Sequence, residues 1–165
     1  MRVPTRKPTK FSQITLDPMI TQEKFDEMDR KLKRLKQVVR PKAAIEVARL
    51  AELGDFSENV EYQLAKGRLR GINTTITTLE RHLAAAEIIR PKIGGVVGVG
   101  HTVTIEADGK QRTYQILGSS ETDPSHGIIS YTSPIGVALM GKTVGDVVVI
   151  RAAGKEITYT ILSVV

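Results

Sequence analysis

Residues 53–62, Leu-Gly-Asp-Phe-Ser-Glu-Asn-Val-Glu-Tyr, lie between two long segments whose apolar residues recur at helical spacing. Gly54 suits the left-handed position that ends a helix. Asp55 is a good N-cap for a second helix, and Glu58 follows it at the capping-box position. The stretch therefore predicts a chain reversal between two helices, with two capping acids at the end of the pair.

The two flanking segments each carry one narrow apolar stripe. Two stripes of similar length joined by a turn predict an antiparallel coiled-coil hairpin. Each arm of about 30 residues would reach roughly 45 Å, and the narrow seam would leave most of each helix in water. The predicted seam residues are Phe25, Met28, Leu32, Leu35, Val38 or Val39, Ile45, Ala48 and Leu53, then Val60, Leu64, Leu69, Ile72, Ile76, Leu79, Leu83 and Ala86.

Local signals mark the ends of the two arms and one irregularity. Thr21 is a suitable N-cap for the first arm, and Pro91 ends the second. Pro41 removes a backbone donor inside the first arm. It therefore predicts a kink near Arg40 rather than the end of the helix.

From Gly94 onward the periodicity changes to the alternation that is typical of β-strands. Residues 108–109, Asp-Gly, are a hairpin-turn signal between two such strands. Residues 133–135 open a short helix that ends at Gly141. The predicted strands lie at 97–105, 113–117, 128–131, 147–151 and 157–162, in an antiparallel sheet around that one short helix.

The pattern as a whole indicates an α+β chain with three parts. The first is a flexible basic leader, residues 1–19, and the second is the coiled-coil hairpin, residues 20–91, with an acidic tip at 54–61. The third is a compact β domain, residues 95–165, and the boundary falls near the proline and glycines that precede it.

The composition excludes several classes of protein. The 165 residues contain no cysteine, which excludes disulfides and thiolate zinc sites, and the three histidines are too scattered to form a ligand cluster. No apolar run approaches the roughly 18 residues that span a bilayer, and the N-terminus lacks the apolar core of a signal peptide. We therefore expect a cytoplasmic protein with no zinc and no membrane partner.

The charge is strongly positive and unevenly distributed. The formal net charge is +6, and residues 30–42 contain seven Lys or Arg and no acid. Such a segment is either a solvated helix face or a contact for nucleic acid or another polyanion. The acids are concentrated elsewhere, around the predicted tip.

Helix capping explains only part of the acidic tip. It accounts for Asp55 and Glu58, but not for Glu61 or for Asn59, whose amide could steady a carboxylate or a metal-bound water. Carboxylates without cysteine or histidine are hard oxygen ligands that suit Mg²⁺. Two carboxylates make a poor private site for that ion, which usually keeps several waters and shares ligands with phosphate. The tip is therefore predicted to complete a metal site on a partner.

Two long motifs resemble those of the bacterial Gre transcript cleavage factors, GreA and GreB. Residues 54–62 are similar to their GD-x-x-EN-x-EY tip, and residues 133–141 to their SPIG-x-AL-x-G motif, which Gly-Asp-Val-Val at 145–148 follows. Residues 40–41, Arg-Pro, and 46–49, Glu-Val-Ala-Arg, match the family's first helix. The resemblance covers about residues 20–165.

The resemblance implies a coiled-coil hairpin joined to a domain like the FK506-binding proteins. It implies that this domain docks on RNA polymerase at the mouth of the secondary channel and that the protein acts as a monomer. Ser133, Pro134 and Ile135 are then either docking residues or residues of the fold. Positive charge along the hairpin would contact the nascent RNA 3′ end.

The resemblance also implies a role for the tip. Asp55 and Glu58 would be the catalytic, metal-coordinating pair that enters the polymerase active site, with Asn59 and Glu61 in supporting roles. There they would help hold a second Mg²⁺ against backtracked RNA, which the polymerase then cuts. The protein would be an accessory factor and not itself an enzyme.

Two other functions are weighed against transcript cleavage. A Gre-like regulator could occupy the secondary channel and inhibit polymerase without cleavage, but intact Asp55 and Glu58 favour cleavage. A prolyl isomerase is suggested by the fold of the β domain. It is disfavoured because Tyr114, Tyr131 and Tyr159 are the only aromatic residues of that half, too few for a proline-binding pocket.

Overall fold

The structure is a computed structural model that describes residues 17–52, 60–91, 94–152 and 155–165. The N-terminal half is helical and the C-terminal half is a β-sheet with one short helix, as the sequence predicts. The elements are β1 (Met19–Ile20), α1 (Gln22–Arg34), a π-helical segment (Leu35–Val39), α2 (Arg40–Glu52), α3 (Val60–Ala85), β2 (Glu87–Ile88), β3 (Thr102–Ala107), β4 (Lys110–Leu117), two 3-10 turns (Ser119–Glu121 and Pro124–His126), β5 (Ile128–Ser130), α4 (Pro134–Leu139), β6 (Val147–Ala152) and β7 (Lys155–Val164).

The first arm of the hairpin runs from α1 through the π-helical segment into α2. Thr21 is its N-cap, as predicted, and accepts a hydrogen bond from the Lys24 backbone N–H. The predicted kink near Arg40 corresponds to the π-helical segment, where the Arg40 N–H donates to the Leu35 carbonyl. A wider turn at this point accommodates Pro41, which has no N–H and whose ring crowds the carbonyl four residues earlier.

The two arms lie antiparallel, and polar contacts across the seam fix their register. The Lys36 ammonium contacts the Glu80 carboxylate at 2.5 Å. Closer to the tip, Arg40 donates to the Asn73 side chain at 3.0 Å. Because these pairs are exposed, they fix the alignment of the helices more than they add to stability.

The predicted seam is correct near the base of the hairpin and wrong near the tip. Ile45, Val60 and Leu64 are 65–69% exposed, and Ala48 is exposed as well. The π-helical segment adds a residue to one turn, so the apolar phase of the first arm shifts beyond it. The residues that face the seam there are Ala43, Val47 and Leu50 on the first arm, and Tyr62, Ala65 and Leu69 on the second, of which only Leu69 was predicted. The predicted Leu53 lies outside the described residues.

The C-terminal half is a five-stranded sheet in the order β5-β4-β3-β7-β6. Asp108 and Gly109 form the predicted hairpin turn between β3 and β4, with φ of 50° and 71°. The expectation of a wholly antiparallel sheet is wrong for one pair, because β5 lies parallel to β4. Between these strands the chain crosses through the two 3-10 turns and returns in the same direction. The first predicted strand is also shorter than expected, since β3 begins only at Thr102.

The core of the β domain lies between one face of this sheet and α4. The alternation that the sequence showed holds on β6, where Val148 and Ile150 are buried while Val147 and Val149 are exposed. Leu139 of α4 is fully buried in this core. None of the helices in the described ranges is long and apolar enough to cross a membrane.

A two-stranded parallel ribbon, formed by β1 and β2, lies at the base of the hairpin. In it Met19 pairs with Glu87, and Ile20, which pairs with Ile88, is completely buried. Met19 lies within the predicted leader, residues 1–19, and neither strand was predicted from the sequence. The ribbon holds the start of the first arm beside the end of the second.

Two helical glycines provide a matched test of the packing. A Cβ on Gly136 would lie 2.1 Å from the Ser130 carbonyl oxygen, whereas one on Gly67 meets nothing within 4 Å. We expect Gly136→Ala to lower the free energy of unfolding by about 1–3 kcal/mol, and Gly67→Ala to raise it by about 0.5–1 kcal/mol. Chemical denaturation measures both, and equal effects of the two variants would contradict this account of α4.

Candidate functional site

The acidic tip lies where the two arms of the hairpin end. Asp55, Glu58 and Asn59 are outside the described residues, so their predicted roles stay predictions. The described arms stop at Glu52 and resume at Val60, on either side of the tip. Glu61 lies in the first turn of α3 and is exposed, as a supporting residue at the tip must be.

A groove between the arms lies directly behind the tip. It has a volume of about 350 Å³ and combines apolar and charged side chains. Its floor includes buried Leu50 and Ala65, and the exposed Leu64 forms part of its wall. Its charged residues are Glu46, Arg49, Glu61 and Arg68.

An ion pair organises the charges of this groove. Both the Nε and Nη2 atoms of Arg49 donate to the Glu46 carboxylate, at 3.1 and 2.8 Å. The hydrogen bond from Arg49 lowers the pKa of Glu46, and the same contact raises the pKa of Arg49, with a further contribution from Glu61. Arg49 therefore stays protonated at all physiological pH values, but Glu46 neutralises its charge within the groove.

The donor chemistry of the tip fits Mg²⁺, although the described residues do not form a metal site by themselves. Within the described ranges no group of three or more His, Cys, Asp or Glu could hold a metal ion. The tip sequence supplies carboxylates without histidine or cysteine, which are the hard oxygen ligands that Mg²⁺ prefers. Asp55 and Glu58 would be its ligands, and the others would have to come from a partner.

The basic segment, residues 30–42, covers the end of α1, the π-helical segment and the start of α2. All seven of its Lys and Arg side chains are exposed. A second set of exposed cations, Lys66, Arg68 and Arg70, lies on α3 nearer the tip. The Lys66 ammonium lies 5.7 Å from the centre of the Tyr62 ring, a cation–π contact that restrains it. Cations on both arms make the hairpin a surface that suits a polyanion.

The structure separates the three predicted docking residues. Ser133 is the N-cap of α4, since its Oγ accepts from the Gly136 N–H at 3.0 Å, and Ile135 packs against the core. Pro134 is exposed at the first turn of the helix. Val137, which the sequence analysis did not single out, is 63% exposed on the same helix. The motif therefore contains residues that stabilise the fold, Ser133 and Ile135, and residues that are exposed, Pro134 and Val137.

Sequence reasoning missed a polar junction between the hairpin and the β domain. Asp17 contacts Ser119, and Thr21 contacts Glu121, each across about a hundred residues of chain. The only signal for it in the sequence was that Asp17 is the sole acid among the first 18 residues. No local pattern could have identified its partners.

Comparison with known proteins covers nearly all of the described chain. Residues 18–88 match the family model "Transcription elongation factor, N-terminal", and residues 91–165 match "Transcription elongation factor, GreA/GreB, C-term". Transcription elongation factor GreA of Cereibacter sphaeroides is 40% identical over 148 residues, which cover 88% of this chain and 98% of that protein. The GreA of Anaeromyxobacter sp. is 44% identical over 137 residues, 81% of this chain and 82% of that one.

Solved structures of similar proteins include GreA factor homolog 1 of Thermus thermophilus. It is 25% identical, with a TM-score of 0.41, and the match covers 88% of this chain and 97% of that one. A GreA/GreB elongation factor from Nitrosomonas europaea is 26% identical, with a TM-score of 0.40, over 59% of this chain and 89% of that one.

The capping role of Ser133 can be tested by substitution. We expect Ser133→Ala to lower the free energy of unfolding by about 1 kcal/mol, because the Gly136 N–H loses its acceptor. Ser133→Asp keeps an acceptor at the same position and should retain most of the stability. Chemical denaturation of both variants measures the difference, and equal losses would show that the cap is not what Ser133 contributes.

Proposed function

Because the chain belongs to the GreA/GreB family of transcription elongation factors, we propose that it binds RNA polymerase at the secondary channel and stimulates the polymerase's own cleavage of backtracked nascent RNA. The observation that carries the proposal is the hairpin itself. Its two arms end on either side of the sequence that holds Asp55 and Glu58. The protein is an accessory factor of polymerase, which would perform the cleavage.

The helices determine how far the tip lies from the base of the hairpin. Helix α3 contains 26 residues, so it is about 39 Å long at ~1.5 Å per residue. It ends beside β2, at the junction with the β domain. A tip at this distance could enter a channel while the β domain stays outside.

We assign the chemistry at the tip to Asp55 and Glu58, which would bind the second Mg²⁺ together with carboxylates of the polymerase. When bound, that ion would activate water and stabilise the charge that develops on the phosphodiester. Asn59 and Glu61 would orient the two ligands.

The cations on the hairpin would contact RNA and polymerase at different places. Lys66, Arg68 and Arg70, on the early turns of α3, lie nearer the tip than the basic segment and suit the phosphates of the nascent RNA 3′ end. The basic segment, residues 30–42, lies farther back. It suits either extruded RNA or an acidic surface of polymerase.

The β domain would dock on polymerase at the channel mouth. Pro134 and Val137 are the exposed residues of α4 that could contribute to docking, while Ser133 and Ile135 support them from the fold. A prolyl isomerase activity gains no support. The three tyrosines of this domain, Tyr114, Tyr131 and Tyr159, are partly buried and pack against its core.

A purified backtracked elongation complex tests the proposal. With Mg²⁺ present, the protein should accelerate shortening of the RNA from its 3′ end, while the protein alone should show no nuclease activity. Asp55→Ser keeps an N-cap and removes the carboxylate, so it separates the metal role from the capping role. We expect Asp55→Ser and Glu58→Gln each to reduce stimulation at least about 100-fold, since each removes a metal ligand.

Glu52→Gln is the matched control, because it removes a carboxylate of the last turn of α2 that lies outside the tip motif. It should cleave like the parent. Normal cleavage by Asp55→Ser would reject the metal role. If the parent protein binds polymerase but never accelerates cleavage at any Mg²⁺ concentration, the non-cleaving regulator replaces this proposal.

A further inference from the structure

A short segment at the base of the hairpin, residues 17–21, contacts both arms and the β domain. We call it the junction strap. It precedes α1 directly and contains β1. Strand β1 contacts the Ser119–Glu121 turn of the β domain.

Asp17 ties the strap to the β domain. Its Oδ2 accepts from the Ser119 N–H at 2.6 Å and from the Ser119 hydroxyl at 2.8 Å, and its Oδ1 accepts from the Tyr131 hydroxyl at 3.3 Å. The Met19 N–H, at 3.1 Å, holds the same carboxylate from within the strap. Burial alone would raise the pKa of Asp17, but these hydrogen bonds outweigh it and lower the pKa.

Glu121 makes the reciprocal contact, from the β domain to the strap. Its two oxygens accept from the Thr21 N–H at 2.8 Å and from the Thr21 hydroxyl at 2.5 Å. Thr21 is at the same time the N-cap of α1, because its Oγ1 also accepts from the Lys24 N–H. The carboxylate therefore holds the first turn of the hairpin directly, at the end where the helix dipole favours negative charge.

Close packing lies beneath these polar contacts. A Cβ on Gly118 would lie 1.8 Å from the Met19 carbonyl oxygen, so only glycine lets the two backbones meet there. Ile20 is completely buried. The strap thus fits one position on the β domain, which is defined by close packing as well as by the polar contacts.

The strap also contacts the second arm. The His82 Nε2 lies 2.9 Å from the Asp17 carbonyl oxygen. The Glu87 N–H donates to the Pro18 carbonyl at 2.7 Å, and the Ile89 N–H to the Ile20 carbonyl at 2.8 Å. The same five residues therefore contact both arms as well as the β domain.

We propose that Asp17 and Glu121 are positioning residues, which fix the angle of the hairpin on the β domain so that the docked protein delivers its tip to the polymerase active site. The inference rests on the proposed function for its consequence, but its structural part stands apart from it. The hairpin cannot turn about its base without breaking the two reciprocal carboxylate contacts. Asp17 and Glu121 lie at the base of the hairpin, at the opposite end from Glu52 and Val60, which flank the tip in sequence.

A distance measurement tests the structural part. The chain has no cysteine, so Arg70→Cys and Lys110→Cys, both at exposed positions, give a single pair of spin labels on α3 and β4. Double electron–electron resonance on the full chain should give one narrow distance distribution. In the background of Asp17→Asn with Glu121→Gln, we expect the distribution to broaden, since each amide keeps the shape but replaces one acceptor oxygen with a donor.

Asp123→Asn is the matched control. Asp123 lies two residues from Glu121, but its carboxylate is bonded within its own turn, to Ser125 and His126. Its distance distribution should equal that of the parent. An unchanged distribution in the double variant, or equal broadening in the control, would overturn the proposal. Glu121→Gln alone serves if the double variant does not fold.

Cleavage of backtracked complexes tests the consequence. Loss of positioning should lower the maximal cleavage rate about tenfold or more, because small misplacements of catalytic groups are costly. The protein concentration at half-maximal effect should stay unchanged, because the docking surface is intact. A broadened distribution with an unchanged maximal rate would overturn the positioning role. A parent that stimulates no cleavage would refute the proposed function instead and leave the distance result standing.

Discussion

The hairpin depends on one constraint, which is that two helices have only their shared seam as a core. No third layer covers α2 or α3 among the described residues, so each arm buries a single stripe, with Met28 and Leu50 on one side and Ala65 and Ile76 on the other. Any residue off that stripe is in water. The seam therefore sets both the stability of the hairpin and the large outward surface that remains for charge.

That constraint explains why the candidate chemistry is incomplete within the chain. A site at the end of two exposed helices would lie in water rather than in low-dielectric surroundings. Its carboxylates alone would therefore attract a metal ion only weakly. The groove behind the tip is also open to water, and its Arg49 and Glu46 form a solvent-exposed ion pair in which the two charges neutralise each other. Such a tip suits a partner that supplies the enclosed environment and the remaining metal ligands.

The sequence predicted the features that local rules determine. The two helical stripes, the Thr21 cap, the Asp-Gly turn and the short helix after Ser133 all follow from spacing and capping. It did not predict the shift of the apolar stripe near the tip. A chain can accommodate Pro41 by a kink or by a π-helical turn, and the sequence does not show which of the two forms. Two-residue strands such as β1 have no periodicity to detect. The parallel pairing of β5 and the contacts of Asp17 and Glu121 join distant residues, which no local pattern reports.

The length of the hairpin makes its base as important as its tip. Over an arm of about 39 Å, a rotation of roughly 10° at the junction would displace the tip by roughly 7 Å. An error of about 1 Å in the placement of reacting groups is already enough to slow catalysis substantially. Packing along the seam keeps the arms straight but does not restrict rotation of the whole hairpin, so that restriction has to come from contacts at the base. Asp17 supplies a carboxylate from the strap and Glu121 supplies one from the β domain, so the junction has two separate polar contacts where a single one would leave the hairpin freer to rotate.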